Sequence, residues 1–255
     1  MAVRMAGRRS DHSRAEQRRV MAKLVRLPAA ATEAIAALTS SPSARQLWPV
    51  HSVDDWGRDD HLIRTIAPLV RLRWQVSASG HQHLPARAGA LLVTNHRRFA
   101  WSPIYVALSL SEATGRPVRF AGRPDTAPFG PALRRLGGLL RDPSEVEGAL
   151  RHGELVVVAT SITSHPRHAG LVDHLLVGAA SSAGVAVHPV ASMSSPIGRA
   201  ARVEVGTAIR PRRKRRGPLA EVELADLIRH RLQKMLDELG GLRTGMPPID
   251  WLGEG

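Results

Sequence analysis

The sequence predicts an α/β domain with a layered sheet. Short apolar runs alternate along the chain with stretches of helical periodicity, which is the pattern of sheet and helix layers packed on one another. Of the 255 residues, 43% are hydrophobic, enough to bury a sizeable core, and 23% are charged, an ordinary fraction for a globular protein. There is no internal repeat.

Residues 1–50 are expected to form a basic extension, partly helical or disordered. Arg8, Arg9, Arg14, Arg18, Arg19, Lys23 and Arg26 surround Val20, Met21, Leu24 and Val25, whose spacing allows a short amphipathic helix. Ser40, Ser41, Pro42 and Ser43 read as a linker. The domain is expected over 51–255.

Asp54 or Asp55 can cap a helix running to about Leu72, with Leu62, Ile66, Leu69 and Val70 on one side. A strand follows over 73–78 and an apolar strand over 90–94. A helix over 104–110, a strand over 118–121, a short helix over 131–136 and a strand fragment at 139–140 come next. Ser144 opens a helix to about His152, with Glu147 in capping-box position. Strands are expected at 155–159, 185–190 and 202–205, with a helix over 171–183 between the first two. Leu224, Leu227, Ile228, Leu232, Met235, Leu236 and Leu239 repeat at helical spacing, so the last helix is amphipathic and spans about 219–239, stopped by Gly240-Gly241.

Composition narrows the function classes. With no cysteine, disulfides, thiolate metal sites and a cysteine nucleophile are excluded. The formal charge of +14 favours anionic partners. No apolar run reaches the roughly 18 residues of a membrane-crossing helix, so a cytoplasmic protein, or one peripheral on the inner face of the membrane, is expected.

The residues with chemical potential lie behind the apolar strand at 90–94. Asn95-His96 follows it directly, and open α/β sheets place ligands at the C-terminal ends of their strands. The wider order is more specific. Trp74-Gln75-Val76, Gly80, Leu84-Pro85 and Leu91-Leu92-Val93-Thr94-Asn95-His96 are followed by Val118–Arg123 and by Gly137-Gly138-Leu139-Leu140-Arg141. Glu154–Val158, Gly184-Val185-Ala186-Val187-His188-Pro189-Val190 and Arg202–Gly206 complete the series. Over 72–210 this order and spacing resembles the glycerolipid (lysophosphatidate-type) acyltransferases. That resemblance implies their layered α/β fold with a mixed central sheet. It also implies His96 as the general base, Arg141 as the phosphate-binding arginine, and Arg98 and Arg123 as further cations near the acceptor.

Two family motifs are altered. The family strand ends N-H-x-x-x-x-D, and the acid holds the imidazole in one tautomer and stabilises its charged form. Here the fifth residue after His96 is Trp101, followed by Ser102. Loss of such an acid costs about 10⁴ in rate in serine proteases. Asp125, Asp142 and Asp173 are the candidates to replace it. Where the family reads F-P-E-G-T-R, this chain reads Val158-Ala159-Thr160-Ser161-Ile162-Thr163, leaving Thr160 and Ser161 as neutral hydrogen-bond donors toward a phosphate.

Other constellations carry less. His165, His168, Asp173 and His174 match no metal spacing, and no metal site or cofactor is expected. The basic run 210–216 suits a lipid surface, a nucleic acid or a plain loop, but no aromatic residue is interleaved with it. There is no phosphate-cradling glycine loop and no G-x-S-x-G elbow. The expected activity is transfer of a fatty acyl group from an acyl thioester, acyl-CoA or acyl-carrier protein, to the hydroxyl of a lysophospholipid or other glycerol-based lipid at an anionic membrane surface. A relative that binds lipid or acyl thioester without turnover is the alternative, and a basic nucleic-acid-binding module the third.

Overall fold

The computed structural model describes residues 53–97, 101–127, 129–165, 167–194, 199–211 and 217–239. The basic extension, Arg98 and most of the basic run at 210–216 lie outside them. The described residues form six helices and seven strands. In chain order these are α1 (Asp60–Arg73), β1 (Gln75–Ser79), β2 (Ala90–Arg97), α2 (Ser102–Thr114), β3 (Val118–Ala121), α3 (Phe129–Arg135), β4 (Gly138–Leu139), α4 (Pro143–Arg151), β5 (Leu155–Thr163), α5 (His174–Ala183), β6 (Ala186–Ser194), β7 (Ala200–Val205) and α6 (Pro218–Leu239).

One mixed sheet in the order β1-β7-β6-β2-β5-β3-β4 organises them. All neighbouring pairs are parallel except β6 with β7. β2 and β5 are the central strands, and their first six residues are buried. That is why both read as unbroken apolar runs. Alternate residues face opposite layers. Leu91, Val93, Val156 and Val158 pack with Val146 of α4, Val177 of α5 and Ile228 of α6. Ala90, Leu92, Leu155 and Val157 pack with Tyr105, Val106 and Leu110 of α2.

Several boundaries differ from the sequence expectation, each for a local reason. The cap of α1 is Asp59, whose carboxylate accepts from the Leu62 amide at 2.9 Å, so the helix starts later than Asp54 or Asp55 would place it. The α4 cap is Asp142, which accepts from the amides of Ser144 and Glu145. Glu147 instead pairs with Arg151 one turn on. α5 starts at His174 because Asp173 caps it by accepting from the Leu175 amide. β2 and β5 each run three or four residues beyond their apolar cores. Gly80 has φ +70, and a Cβ there would run into the Val205 carbonyl, so the β1–β2 link needs glycine.

The N-terminal ends of β3 and β5 carry a buried cation. The Arg119 side chain is 1% exposed and is held by Asp54 at 2.6 Å and Glu154 at 3.1 Å, with the Trp56 ring 6.0 Å from the guanidinium. This pins residues 53–59 to the sheet. A buried charge stays only while its partners do. Arg119→Ala leaves Glu154 without that partner and is expected to destabilise the fold by about 3–5 kcal/mol, measured by chemical denaturation. Asp54→Asn, at a more exposed partner, is expected to cost less.

Candidate active site

The strand ends around His96 form a topological switch point. From β2 the chain crosses by α2 to β3, over the face built on Leu92 and Val157. From β5 it crosses by α5 to β6, over the opposite face. The connections leaving two adjacent strands therefore diverge, the arrangement at which open α/β sheets leave a ligand crevice outside their strand ends. His96 and its register partner Ile162 lie at this edge, on strands that stay paired as far as Arg97 and Thr163.

Asn95 builds this edge. The backbone pairing of β2 with β6 stops at Thr94–Val190. Beyond it the Asn95 amide donates to the Ser192 carbonyl at 2.8 Å, and its oxygen accepts from the Ser192 N–H at 2.8 Å and hydroxyl at 3.0 Å. The Thr94 hydroxyl donates to Ser192 at 3.1 Å. On the β5 side the register shifts between Thr94 and His96, a bulge that re-aims the strand end. Behind the bulge lies a buried polar cluster. The Tyr105 hydroxyl hydrogen-bonds Ser102, Ser192 and Ser194, and burial pushes its ionisation up. Arg97 donates to the Ser194 carbonyl at 3.3 Å.

His96 is half-buried and its pKa is pushed down to about 4, first by burial and second by the Arg141 guanidinium. The imidazole is therefore neutral across the physiological range. No carboxylate among the described residues hydrogen-bonds it, and the three sequence candidates are occupied. Asp142 caps α4. Asp125 lies 3.8 Å from Arg123. Asp173 caps α5 and accepts from Arg141 at 3.1 and 3.2 Å.

The proposed phosphate groups divide in the same way. Arg141 is the cation the structure brings into the field of His96. Arg123 is turned toward Glu145, at 3.6 Å, and Asp125. Thr160 is buried at the end of the β5 core, with its hydroxyl directed to the Ser161 carbonyl at 3.3 Å. Ser161 is exposed, and its Oγ accepts from the Leu171 amide at 2.8 Å. Two cavities among the described residues, of about 290 and 330 Å³, open beside β1 and β7 and beside the start of α6, away from His96. No group of three or more metal-ligating side chains occurs among the described residues.

Trp101, in the place of the family acid, precedes α2 with φ +51 and caps nothing with its side chain. It is the one non-glycine residue with positive φ among those described. A bulky residue there is strained. Sequence reasoning named His96 and Arg141, which the structure brings within each other's field, but not the Asn95–Ser192 bridge or the Tyr105 cluster. The chain's one tyrosine, a turn after Trp101, was the available signal.

No family model matches the sequence. No curated protein matches it either. Among solved structures the chain is similar to the 1-acyl-sn-glycerophosphate (LPA) acyltransferase PlsC from Thermotoga maritima, with a TM-score of 0.52 over 71% of this chain and 82% of that one, at 17% identity. A likeness at that identity establishes a shared layered α/β fold and nothing about the altered motifs. No helix among the described residues is long and apolar enough to cross a membrane.

Two measurements check this geometry. Asn95→Ala leaves the buried Ser192 peptide without its partner and is expected to cost about 1–3 kcal/mol, read by denaturation. The second is pH dependence. The folded pKa of His96, about 4, lies below its ordinary 6.5, so the unfolded chain binds the proton more readily between those values. The stability held by neutral His96 is complete above pH 6.5 and is lost as pH falls toward 4. His96→Gln is expected to flatten that part of the stability curve, and Arg141→Gln to raise the His96 pKa in an NMR titration while burial keeps it below 6.5.

Proposed function

We propose that this chain is an acyltransferase-like domain of glycerolipid type, in which neutral His96 accepts the proton of an acceptor hydroxyl. The observation that supports this is the position of His96. It lies at the switch point of a fold shared with a lysophosphatidate acyltransferase, unprotonated and within the field of the exposed Arg141.

In this reading the hydroxyl oxygen attacks the carbonyl of an acyl thioester, acyl-CoA or acyl-carrier protein, as its proton passes to His96. The tetrahedral intermediate collapses, the C–S bond breaks, and the thiolate takes the proton back from the imidazolium. One ester forms for each thioester lost. The acceptor is a lysophospholipid or related glycerol-based lipid whose phosphate lies on Arg141, with Thr160 and Ser161 beside it. Arg98 and Arg123 would add to the positive field. An anionic acceptor on Arg141 would offset the charge that weakens His96 as a base and so stand in for part of the missing acid. The test is acyl transfer from a long-chain acyl thioester to a panel of lysophospholipids on vesicles. His96→Ala is expected to lower the rate by about 10²–10⁴. Trp101→Asp places a carboxylate at the family spacing, in a residue type that tolerates this backbone and caps helices, and is expected to raise the rate about tenfold or more.

A second reading is favoured by one observation, the absence of a carboxylate on His96 among the described residues. It is a relative that binds lipid or acyl thioester without turnover. Binding by a folded wild type that transfers no acyl group to any acceptor would establish it over the first.

A further inference from the structure

The edge that carries His96 also exposes large apolar side chains. Ile162, the register partner of His96, is 46% exposed, Leu171 is 64% exposed and Leu175 54%. They are neighbours. The Ser161 N–H donates to the Leu171 carbonyl and the Leu171 N–H to the Ser161 hydroxyl, both at 2.8 Å, which sets Leu171 beside Ile162. Leu175 follows four residues on, in the first turn of α5.

This rim is a built surface. Gly170 has φ +75 and lies so close to Ser161 and Thr160 that a Cβ would collide with both. The Ala169 N–H donates to Gln233 of α6 at 3.1 Å, and Gln233 donates back to the Arg167 carbonyl at 2.7 Å. Specific bonds therefore fix the backbone on both sides of Leu171, while Ile162, Leu171 and Leu175 stay exposed.

Arginines stand in the same segments: Arg97 ends β2, Arg141 follows β4 with 44% of its side chain exposed, and Arg167 lies in the loop after β5. Among the carboxylates of these segments, Asp173 is engaged by Arg141, Asp142 caps α4, and Asp237 accepts from Gln233 at 2.9 Å. The whole chain carries +14. A second copy seated here would bring two such charges together. An anionic bilayer satisfies both features, with headgroups for the guanidinium groups and an acyl boundary for the apolar side chains.

We infer that this edge is a membrane-docking surface, with Ile162, Leu171 and Leu175 inserted into an anionic bilayer so that the His96 crevice opens at the lipid interface. The inference deepens the site assigned above but does not require turnover, and it stands for either reading of the function. A lipid substrate would then reach His96 along the rim without crossing water.

The experiment is co-sedimentation of the full chain with vesicles of phosphatidylcholine alone and of phosphatidylcholine mixed with phosphatidylglycerol. The wild type is expected to bind the anionic vesicles. Ile162→Gln/Leu171→Gln/Leu175→Gln removes apolar surface without adding charge and is expected to weaken binding about tenfold or more. Leu227→Glu, at an equally exposed position on α6 (46%), is expected to bind as the wild type does. The thermal unfolding of each variant reports that it is folded. Binding by the triple variant equal to wild type overturns the inference, as does a wild type that binds neither vesicle. A triple variant that loses self-association in sedimentation velocity, with vesicle binding unchanged, assigns the rim to a second copy and also overturns it. Acyl transfer to detergent-dispersed substrate separates the two claims. Transfer there by the triple variant, with vesicle binding lost, upholds both. Vesicle binding without transfer by the wild type upholds docking and removes the enzymatic reading.

Discussion

The side-chain amide of Asn95 takes the place of a backbone neighbour for Ser192, and the whole C-terminal edge of the sheet hangs on that exchange. A buried peptide group must find a partner. At the end of β6 the partner of Ser192 is a side chain, through hydrogen bonds of 2.8 and 3.0 Å. β2 no longer has to follow β6 past Thr94, and on its other side the step from Thr94 to His96 faces a longer step on β5, from Ala159 to Ile162, so the extra residue of the bulge lies on β5 and the two strands stay paired as far as Arg97 and Thr163. The Tyr105–Ser102–Ser194 cluster fills the space behind the bulge with hydrogen-bonded groups.

The two ends of the sheet treat charge in opposite ways. At the N-terminal end of β3, Arg119 is buried and bracketed by Asp54 and Glu154, so its charge serves attachment of the preceding segment. At the C-terminal end, Arg141 keeps 44% of its side chain exposed and has Asp173 as its carboxylate partner. Its bonds to Asp173, the cap of α5, tie the segment after β4 to the start of that helix while part of the guanidinium stays in water. The cost falls on His96, which burial and Arg141 together make a weak base.

Trp101 carries a backbone cost at the start of α2. An aspartate at this point would tolerate the left-handed conformation, cap α2 and supply a carboxylate. A tryptophan does none of these and leaves the first turn of α2 without a side-chain cap. The fold accommodates it because Ser102, Tyr105 and Val106 anchor the same turn from its buried side.

The sequence by itself determined the layers. The short apolar runs 90–93 and 155–158 suit strands buried on both faces, and the 3–4 spacing from Leu224 to Leu239 suits a helix with one apolar face, because burial imposes those patterns locally. It also determined which histidine stands at a strand end. Tertiary structure decided the rest. Four aspartates within seven residues, Asp54, Asp55, Asp59 and Asp60, are all fit to cap a helix. Asp59 does so in a place where Arg135, far along the chain, pairs with it at 2.5 Å. Asp173 resembled a free acid that could serve His96, but it caps α5 and binds Arg141, thirty-two residues earlier in the chain. Neither contact is visible in local pattern. A strand or helix is fixed by what a few neighbouring residues bury, whereas the partner of a charge is fixed by which distant residues the completed sheet brings within a few ångströms.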